Sequence, residues 1–232
     1  AIIGPPLYDY HRVVRNLLTQ KRLQKAIESY ALKKSISVEK AQKKALKYIK
    51  EVSARQSHYT VRFFEVTIGW FLKKVYKRID FHNFSRVQAI AETHEPIYMP
   101  CHRSHMDYLI FGLELYRRGL IPLHTVAGIN LNFWPVGPLL RRGGAIFIRR
   151  TFQGNRLYAA VVKEVVSYFM RSGFPLCFYP EGGRSRTGLL IKPKTGILSM
   201  ILEEYRQTQM KPLALIPVYI GYDKIIEGVR SR

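Results

Sequence analysis

The sequence predicts an α/β fold, a central mostly parallel or mixed sheet layered by helices and preceded by an α-helical N-terminal region. Two observations carry that prediction. From about residue 8 to residue 91 the text is lysine-rich and helical in period, with few glycines or prolines and no strand alternation. After Pro96 short apolar runs alternate with segments of helix length. The change divides the chain into residues 1–95, helical and basic with a possible membrane-interfacial role, and residues 96–232, an α/β domain.

Within the first region, residues 35–52 read as a charged surface helix, in which Ser37 and Lys40 lack the acid that would complete a capping box. Residues 61–79 mix Phe63, Phe64, Trp70 and Phe71 with Arg62, Lys73, Lys74, Lys77 and Arg78. That segment is too short and too charged to span a bilayer. A core-packing helix with a solvated basic end is the preferred reading; an aromatic helix lying in the headgroup region is the other.

In the second region the strand candidates are residues 97–101, 123–128, 145–148, 175–179 and 214–220, all short and apolar. Pro217 places the last at an edge or a bulge, because proline has no amide proton to give a central ladder. Helices are expected over residues 105–118, 155–171 and 196–206. Strand order and direction do not follow from these patterns.

Of the 232 residues, 38 are Lys or Arg and 16 are Asp or Glu, a formal charge of +22. An excess of that size implies an acidic partner, and nucleic acid, anionic lipid and an acidic carrier protein all meet the electrostatic requirement. The two cysteines, Cys101 and Cys177, sit in apolar runs without metal-ligand spacing and read as buried reduced thiols. No signal peptide is visible, the chain lacks an initiator Met and its end carries no closing element, so a fragment of a longer protein is expected.

Four segments carry chemistry, each at or beside a predicted strand, where α/β sheets place their sites. His102 stands four intervening residues ahead of Asp107. A neutral imidazole takes a proton from an alcohol, and a carboxylate on its other nitrogen fixes the tautomer and stabilises the imidazolium. Ser104 and Asp107 equally read as a helix capping box, with Ser104 at the cap. Arg141, Arg142, Arg149 and Arg150 bracket one short strand beside Gly143 and Gly144, which suits phosphate. The loop Glu181, Gly182, Gly183, Arg184, Ser185, Arg186 combines a turn, a carboxylate, two arginines and a hydroxyl and suits a small polyol phosphate; a plain tight turn with solvated charges is the alternative. Lys192 and Lys194 downstream add charge, with no role beyond surface assigned. Ile216, Pro217 and Val218 form either a core strand, the simpler reading, or an apolar wall for an acyl chain.

These segments, in this order, resemble the four sequence blocks of the glycerolipid acyltransferase superfamily: His102-x4-Asp107, Gly144 to Arg150, Pro180-Glu181-Gly182 with Arg184, and the Ile216-Pro217 strand. The finer text, including Gly128-Ile129-Asn130-Leu131-Asn132-Phe133-Trp134-Pro135 and Phe147-Ile148-Arg149-Arg150-Thr151-Phe152, is similar to the bacterial membrane-bound glycerol-3-phosphate acyltransferases of the large PlsB type. The likeness is firm from about residue 96 to residue 228 and looser upstream. Tyr179 departs from it, the family often having Phe, Leu or Val before the proline.

The resemblance implies acylation of the sn-1 hydroxyl of glycerol 3-phosphate from acyl-ACP or acyl-CoA, giving lysophosphatidic acid, at the cytoplasmic face of the inner membrane. It implies His102 as base and Asp107 as its partner, with glycerol-phosphate binding at Arg149, Glu181, Gly182 and Arg184; Gly183 belongs to the same loop, and Arg150, Ser185 and Arg186 extend the set. No cofactor or metal is implied, only the thioester co-substrate. The expected partners are glycerol 3-phosphate, acyl carrier protein or CoA thioester and an anionic membrane surface, without nucleic acid. Direct transfer needs no acyl-enzyme, and no Gly-x-Ser-x-Gly elbow is present. Backbone amides near Ser104 to Met106 are the candidate oxyanion donors. Three rivals are a sister enzyme acylating lysophosphatidic acid or dihydroxyacetone phosphate, a basic nucleic-acid-binding module, for which the lysine-rich first region is the only support, and a catalytically silent scaffold at the membrane, which the presence of both His102 and Asp107 disfavours.

Overall fold

The computed structural model describes residues 9–152, 154–185, 187, 189, 191–208 and 210–223. Five helices come first: α1 (Tyr10–Thr19), α2 (Lys21–Lys34), α3 (Val38–Val52), α4 (His58–Val75) and α5 (Phe84–Thr93). Ser37 caps α3 by accepting the Lys40 amide at 3.3 Å, so the serine performs its half of a capping box without the acid. The charged α3 is not wholly a surface helix. Its Ala41, Ala45, Tyr48, Ile49 and Val52, spaced at three and four residues, form a buried stripe.

Strands and helices then alternate: β1 (Glu95–Pro100), α6 (Asp107–Arg117), β2 (His124–Gly128), a 3₁₀ turn (Ile129–Leu131), α7 (Val136–Gly143), β3 (Ala145–Ile148), α8 (Arg156–Arg171), β4 (Leu176–Cys177), α9 (Gly196–Gln207) and β5 (Leu213–Val218). Each of the five expected strands is present, shifted by at most three residues at an end. The strands lie in the order β3-β2-β4-β1-β5 and every neighbouring pair is parallel. Pro217 falls on β5 at one edge, opposite Met99 of β1, where its missing N–H leaves no central ladder bond unmade.

One cluster of buried side chains covers one face of the sheet. It runs from Val13 and Leu17 through Ile27 and Ile49 to Val165 and Phe169 of α8 and on to Ile97, Ile146 and Leu176. Helices α1–α3 therefore share the core of the sheet, and each fully buried Val or Phe of α8 contributes about 1.5–3 kcal/mol of apolar burial. The alternate strand positions, Tyr98 and Cys177, face a second cluster with Phe111 and Leu115 of α6 and Phe84 of α5. Buried Glu204 of α9 ties the first layer together, accepting from Arg22 of α2 at 2.6 Å and from Ser167 and Arg171 of α8 at 2.9 and 2.7 Å.

Sequence patterning missed α7, because Pro135, Gly137 and Pro138 read as loop. Pro138 lies in the first turn, where no amide needs an intrahelical partner, and Gly144 (φ +112°) ends the helix in the left-handed region. A Cβ on Gly144 would stand 2.5 Å from the Leu123 carbonyl oxygen. This glycine allows the close approach of the main chain at Leu123.

Candidate active site

Because all five strands run the same way, the segments that follow them gather at one end of the sheet: Cys101–Asp107 after β1, Arg149–Arg150 after β3, Tyr179–Ser185 after β4 and Ile220–Tyr222 after β5. Much of this end opens into a cleft of about 490 Å³, within the range of small-molecule sites.

His102 Nδ1 lies 2.8 Å from Asp107 Oδ2. Asp107 is fully buried at the first position of α6, and Oδ2 also accepts the amides of Arg103 at 2.6 Å and Ser104 at 2.9 Å. The capping-box reading is met only in part: α6 begins at Asp107 with Met106 at its N-cap, so Ser104 is not the cap residue, yet the carboxylate accepts the Ser104 amide while it holds the imidazole. The cap differs in detail: Ser104 Oγ accepts the Met106 amide at 3.0 Å. Oδ1 accepts the Tyr222 hydroxyl at 2.6 Å. Burial pushes the Asp107 carboxyl up, and the hydrogen bonds from His102, Tyr222 and the two amides outweigh it and hold the group below the usual carboxylate range. An ionised Asp107 orients His102 with Nδ1–H as donor, leaving Nε2 as the nitrogen able to act as base. Of the candidate oxyanion amides, those of Ser104 and Met106 are committed to Asp107 and Ser104 Oγ.

Glu181 is buried, and its two oxygens accept the amides of His102 at 3.1 Å and Ile191 at 3.0 Å. Ser185 donates its amide to the His102 carbonyl at 2.8 Å and its hydroxyl to the Leu189 carbonyl. Both residues therefore brace the main chain of His102. Gly182 (φ +61°) makes the turn, with Lys194 so close that a Cβ there would meet its Cδ at 2.9 Å. Gly182, Gly183, Arg184 and Lys194 line the cleft together with His102, so Lys194, read from sequence as surface, belongs to the rim. Arg186 lies outside the described residues.

Arg149 and Arg150 also border the cleft. The Arg149 guanidinium is held bidentately by Glu51 of α3, at 2.7 and 2.8 Å, and stacks over Tyr48 and Tyr158. Arg150 is exposed. Arg141 is buried and donates to the Ser53 carbonyl at 2.7 Å with Phe147 beneath it, which gives it a place in the fold away from phosphate. Patterning gave no sign of the Glu51 pairing, 98 residues distant, or of the Tyr222 contact, 115 residues distant.

The apolar walls of the cleft come from α4 and α6, through Val61, Phe64 and Ile68 and through Leu109, Leu113 and Tyr116, with Leu140 of α7. Ile216, Pro217 and Val218 are not among its lining residues; Ile216 and Val218 pack on the second core cluster. Tyr179, where the family text differs, lies tilted against the His102 ring with 4.5 Å between ring centres. Burial pushes the Cys177 thiol up, and Cys101 Sγ bonds the main chain of Ile220.

Helix α4 buries Val61, Gly69 and Leu72 but leaves Tyr59, Phe63, Val66, Trp70 and Phe71 exposed, as are Phe133 and Trp134 before α7. The preferred expectation of a core-packing helix holds for one face only. No helix among the described residues is long and apolar enough to cross a membrane, and none of their His, Cys, Asp and Glu side chains group as metal ligands.

A model of the acyltransferase family matches residues 78–221. The chain is 46% identical over 225 residues to the glycerol-3-phosphate acyltransferase of Haemophilus influenzae (strain PittEE), covering 97% of this chain and 28% of that protein. It is 45% identical over 228 residues to the glycerol-3-phosphate acyltransferase of Pseudomonas fluorescens (strain Pf0-1), covering 98% and 27%. The enzyme of the same name from Histophilus somni (strain 129Pt) is 46% identical over 225 residues. The chain thus spans little more than a quarter of the length of these curated relatives.

Proposed function

This chain belongs to the acyltransferase family, and from that premise we propose that the protein it forms part of is a glycerol-3-phosphate 1-O-acyltransferase of the large membrane-bound PlsB type. It transfers a fatty acyl group from acyl-ACP or acyl-CoA to the sn-1 hydroxyl of glycerol 3-phosphate and releases lysophosphatidic acid and the free thiol. The observation that carries the reading is the His102–Asp107 pair, 2.8 Å apart, in a cleft with apolar walls and a cationic rim. The names of the relatives, all glycerol-3-phosphate acyltransferases, support the choice of acceptor.

His102 Nε2 takes the hydroxyl proton as the alkoxide attacks the thioester carbonyl, and Asp107 stabilises the imidazolium. The tetrahedral intermediate collapses with expulsion of the thiolate, which recovers the proton from His102. Arg184, Lys194 and Arg150 hold the phosphate, with Arg149 joining once its fork is shared with Glu51, and this fixes the hydroxyl beside the base. Glu181, Gly182, Gly183 and Ser185 shape the loop that carries Arg184. The acyl chain lies along α4 and α6, and no metal or cofactor enters the step.

The exposed rings of α4 and Trp134, flanked by Lys73 and Lys74, support contact with an anionic membrane at the cytoplasmic face of the inner membrane. The same charge of +22 steers an acidic carrier protein to the site, and nucleic acid has no part in the reading. Transfer from a radiolabelled acyl donor to glycerol 3-phosphate in lipid micelles, with the full-length protein and its His102→Ala variant, tests the proposal. Product from the parent alone is expected. Wild-type activity in the variant removes the base assignment, and activity only on lysophosphatidic acid or dihydroxyacetone phosphate moves the protein to a sister reaction.

A further inference from the structure

We propose that Tyr222 is a positioning residue of this site: its hydroxyl, 2.6 Å from Asp107 Oδ1, holds the carboxylate in the one orientation that presents Oδ2 to His102. The inference rests on the reading of His102 and Asp107 as base and partner. Three donors, His102 Nδ1 and the amides of Arg103 and Ser104, converge on Oδ2. Oδ1 points to the other side, where Tyr222 packs with Ile68, Leu72, Ile110 and Met106 between α4 and α6. An anionic oxygen facing that apolar surface is costly to leave without a donor, and the phenol supplies one from the segment that follows β5. Burial and the neighbouring carboxylate push the Tyr222 hydroxyl well up, so it stays a donor throughout the working range.

The contact does more than satisfy a buried oxygen. A hydrogen bond to Oδ1 withdraws charge from the carboxylate and so moderates its hold on the imidazolium. Its loss loosens the orientation, which slows turnover, and concentrates charge on Oδ2, which makes His102 more basic. A residue that merely filled space would do the first through instability and would not do the second. The titratable and charged groups around the pair are His105, whose ring lies 6.5 Å from that of His102, Glu181, which accepts the His102 amide, Arg103, whose amide reaches Asp107, Cys101 bonded to the Ile220 main chain, Tyr179 tilted against His102 with Tyr108 near it, and Tyr76 packed on Tyr222; Tyr222→Phe alters the formal charge of none of them.

The experiment compares the full-length protein with its Tyr222→Phe variant, with Tyr76→Phe as a control that alters the same cluster. Two quantities are followed against pH: kcat and KM for glycerol 3-phosphate, and the rate at which His102 is carbethoxylated, read by fragment mass spectrometry. Tyr222→Phe is expected to lower kcat by roughly ten- to a hundredfold with KM within about twofold. The acid limb of kcat/KM and the His102 modification midpoint should both rise by roughly half a pH unit or more. Tyr76→Phe is expected to leave both in place. An unmoved acid limb, or kcat within twofold of wild type, overturns the proposal. Should Tyr222→Phe fold poorly, 3-fluorotyrosine at the position, a stronger donor of nearly the same shape, must move the acid limb downward; no movement also overturns it. If the parent protein acylates no glycerol 3-phosphate, the reaction reading fails, and the modification midpoint of His102 still decides the role of Tyr222.

Discussion

Asp107→Asn separates the charge of the acid from its shape. The asparagine carbonyl can occupy the Oδ2 position and keep the bonds from His102 Nδ1 and the amides of Arg103 and Ser104, while its amide group faces Tyr222, whose hydroxyl can turn to accept. The fold should survive at a cost of about 1–3 kcal/mol, the difference between charged and neutral hydrogen bonds. The reaction should not. With Nδ1 and Oδ2 at 2.8 Å, the charge centres of carboxylate and imidazolium lie roughly 4 Å apart. At an effective dielectric constant near 20 that attraction is worth about 4 kcal/mol, and it exists only once His102 has taken the proton. Its loss falls on the transition state and lowers kcat by about a thousandfold, with little change in KM for glycerol 3-phosphate. Single-turnover acyl transfer with saturating donor, alongside thermal unfolding of both proteins, measures the two effects separately. A folded Asn variant within tenfold of wild-type kcat would refute the electrostatic role and leave Asp107 as a helix cap.

Arg184→Ala should raise the apparent KM for glycerol 3-phosphate by roughly tenfold or more with a smaller change in kcat, as befits a group that holds phosphate; an unchanged KM in initial-rate assays clears it of that role. Burial pushes Glu204 up, and its bonds from Arg22, Ser167 and Arg171 outweigh that and hold it below the usual carboxylate range. A lowered folded pKa means stability that is present above the unfolded value near 4.3 and lost as pH falls through the folded value. Glu204→Gln should therefore lower Tm at pH 7 and weaken the further fall in Tm below about pH 4.5; parallel melting curves for the two proteins would contradict the sign. Substituting both Trp70 and Trp134 by Ser should cut binding to anionic vesicles by roughly tenfold or more in co-sedimentation, with a steeper loss at high salt, and equal binding would remove α4 from the membrane contact.

The fold was legible where local chemistry decides it. Short apolar runs bounded by proline and glycine gave the five strands, and Pro217 narrowed β5 to an edge or a bulge, of which the structure shows the edge. The parallel order β3-β2-β4-β1-β5 was not, because pairing depends on partners distant in the chain that no short run names. Within the site, the contact of His102 with Asp107 was legible because the two stand only five positions apart and one turn brings them together. Glu181 shows the opposite case. Its neighbours Arg184 and Gly182 suggested a ligand-facing carboxylate, yet both oxygens are spent on the amides of His102 and Ile191, a use invisible without the loop path.

The arginines around β3 show how far the helices before the sheet take part in its chemistry. Four similar guanidinium groups flank the strand, but Arg141 is spent on the Ser53 carbonyl at the end of α3, and Arg149 is gripped by Glu51 on the same helix. Helix α3 thereby fixes both ends of β3, while α4 supplies the cleft wall through Val61, Phe64 and Ile68. An anion that reaches Arg149 would have to share a fork that Glu51 already fills, whereas Arg150, Arg184 and Lys194 line the same cleft. The lysine-rich opening of the chain, which in isolation suggests only a charged surface, is therefore the layer against which the cationic half of the site is aligned. Removing it would cost Arg149 the orientation that Glu51 gives it.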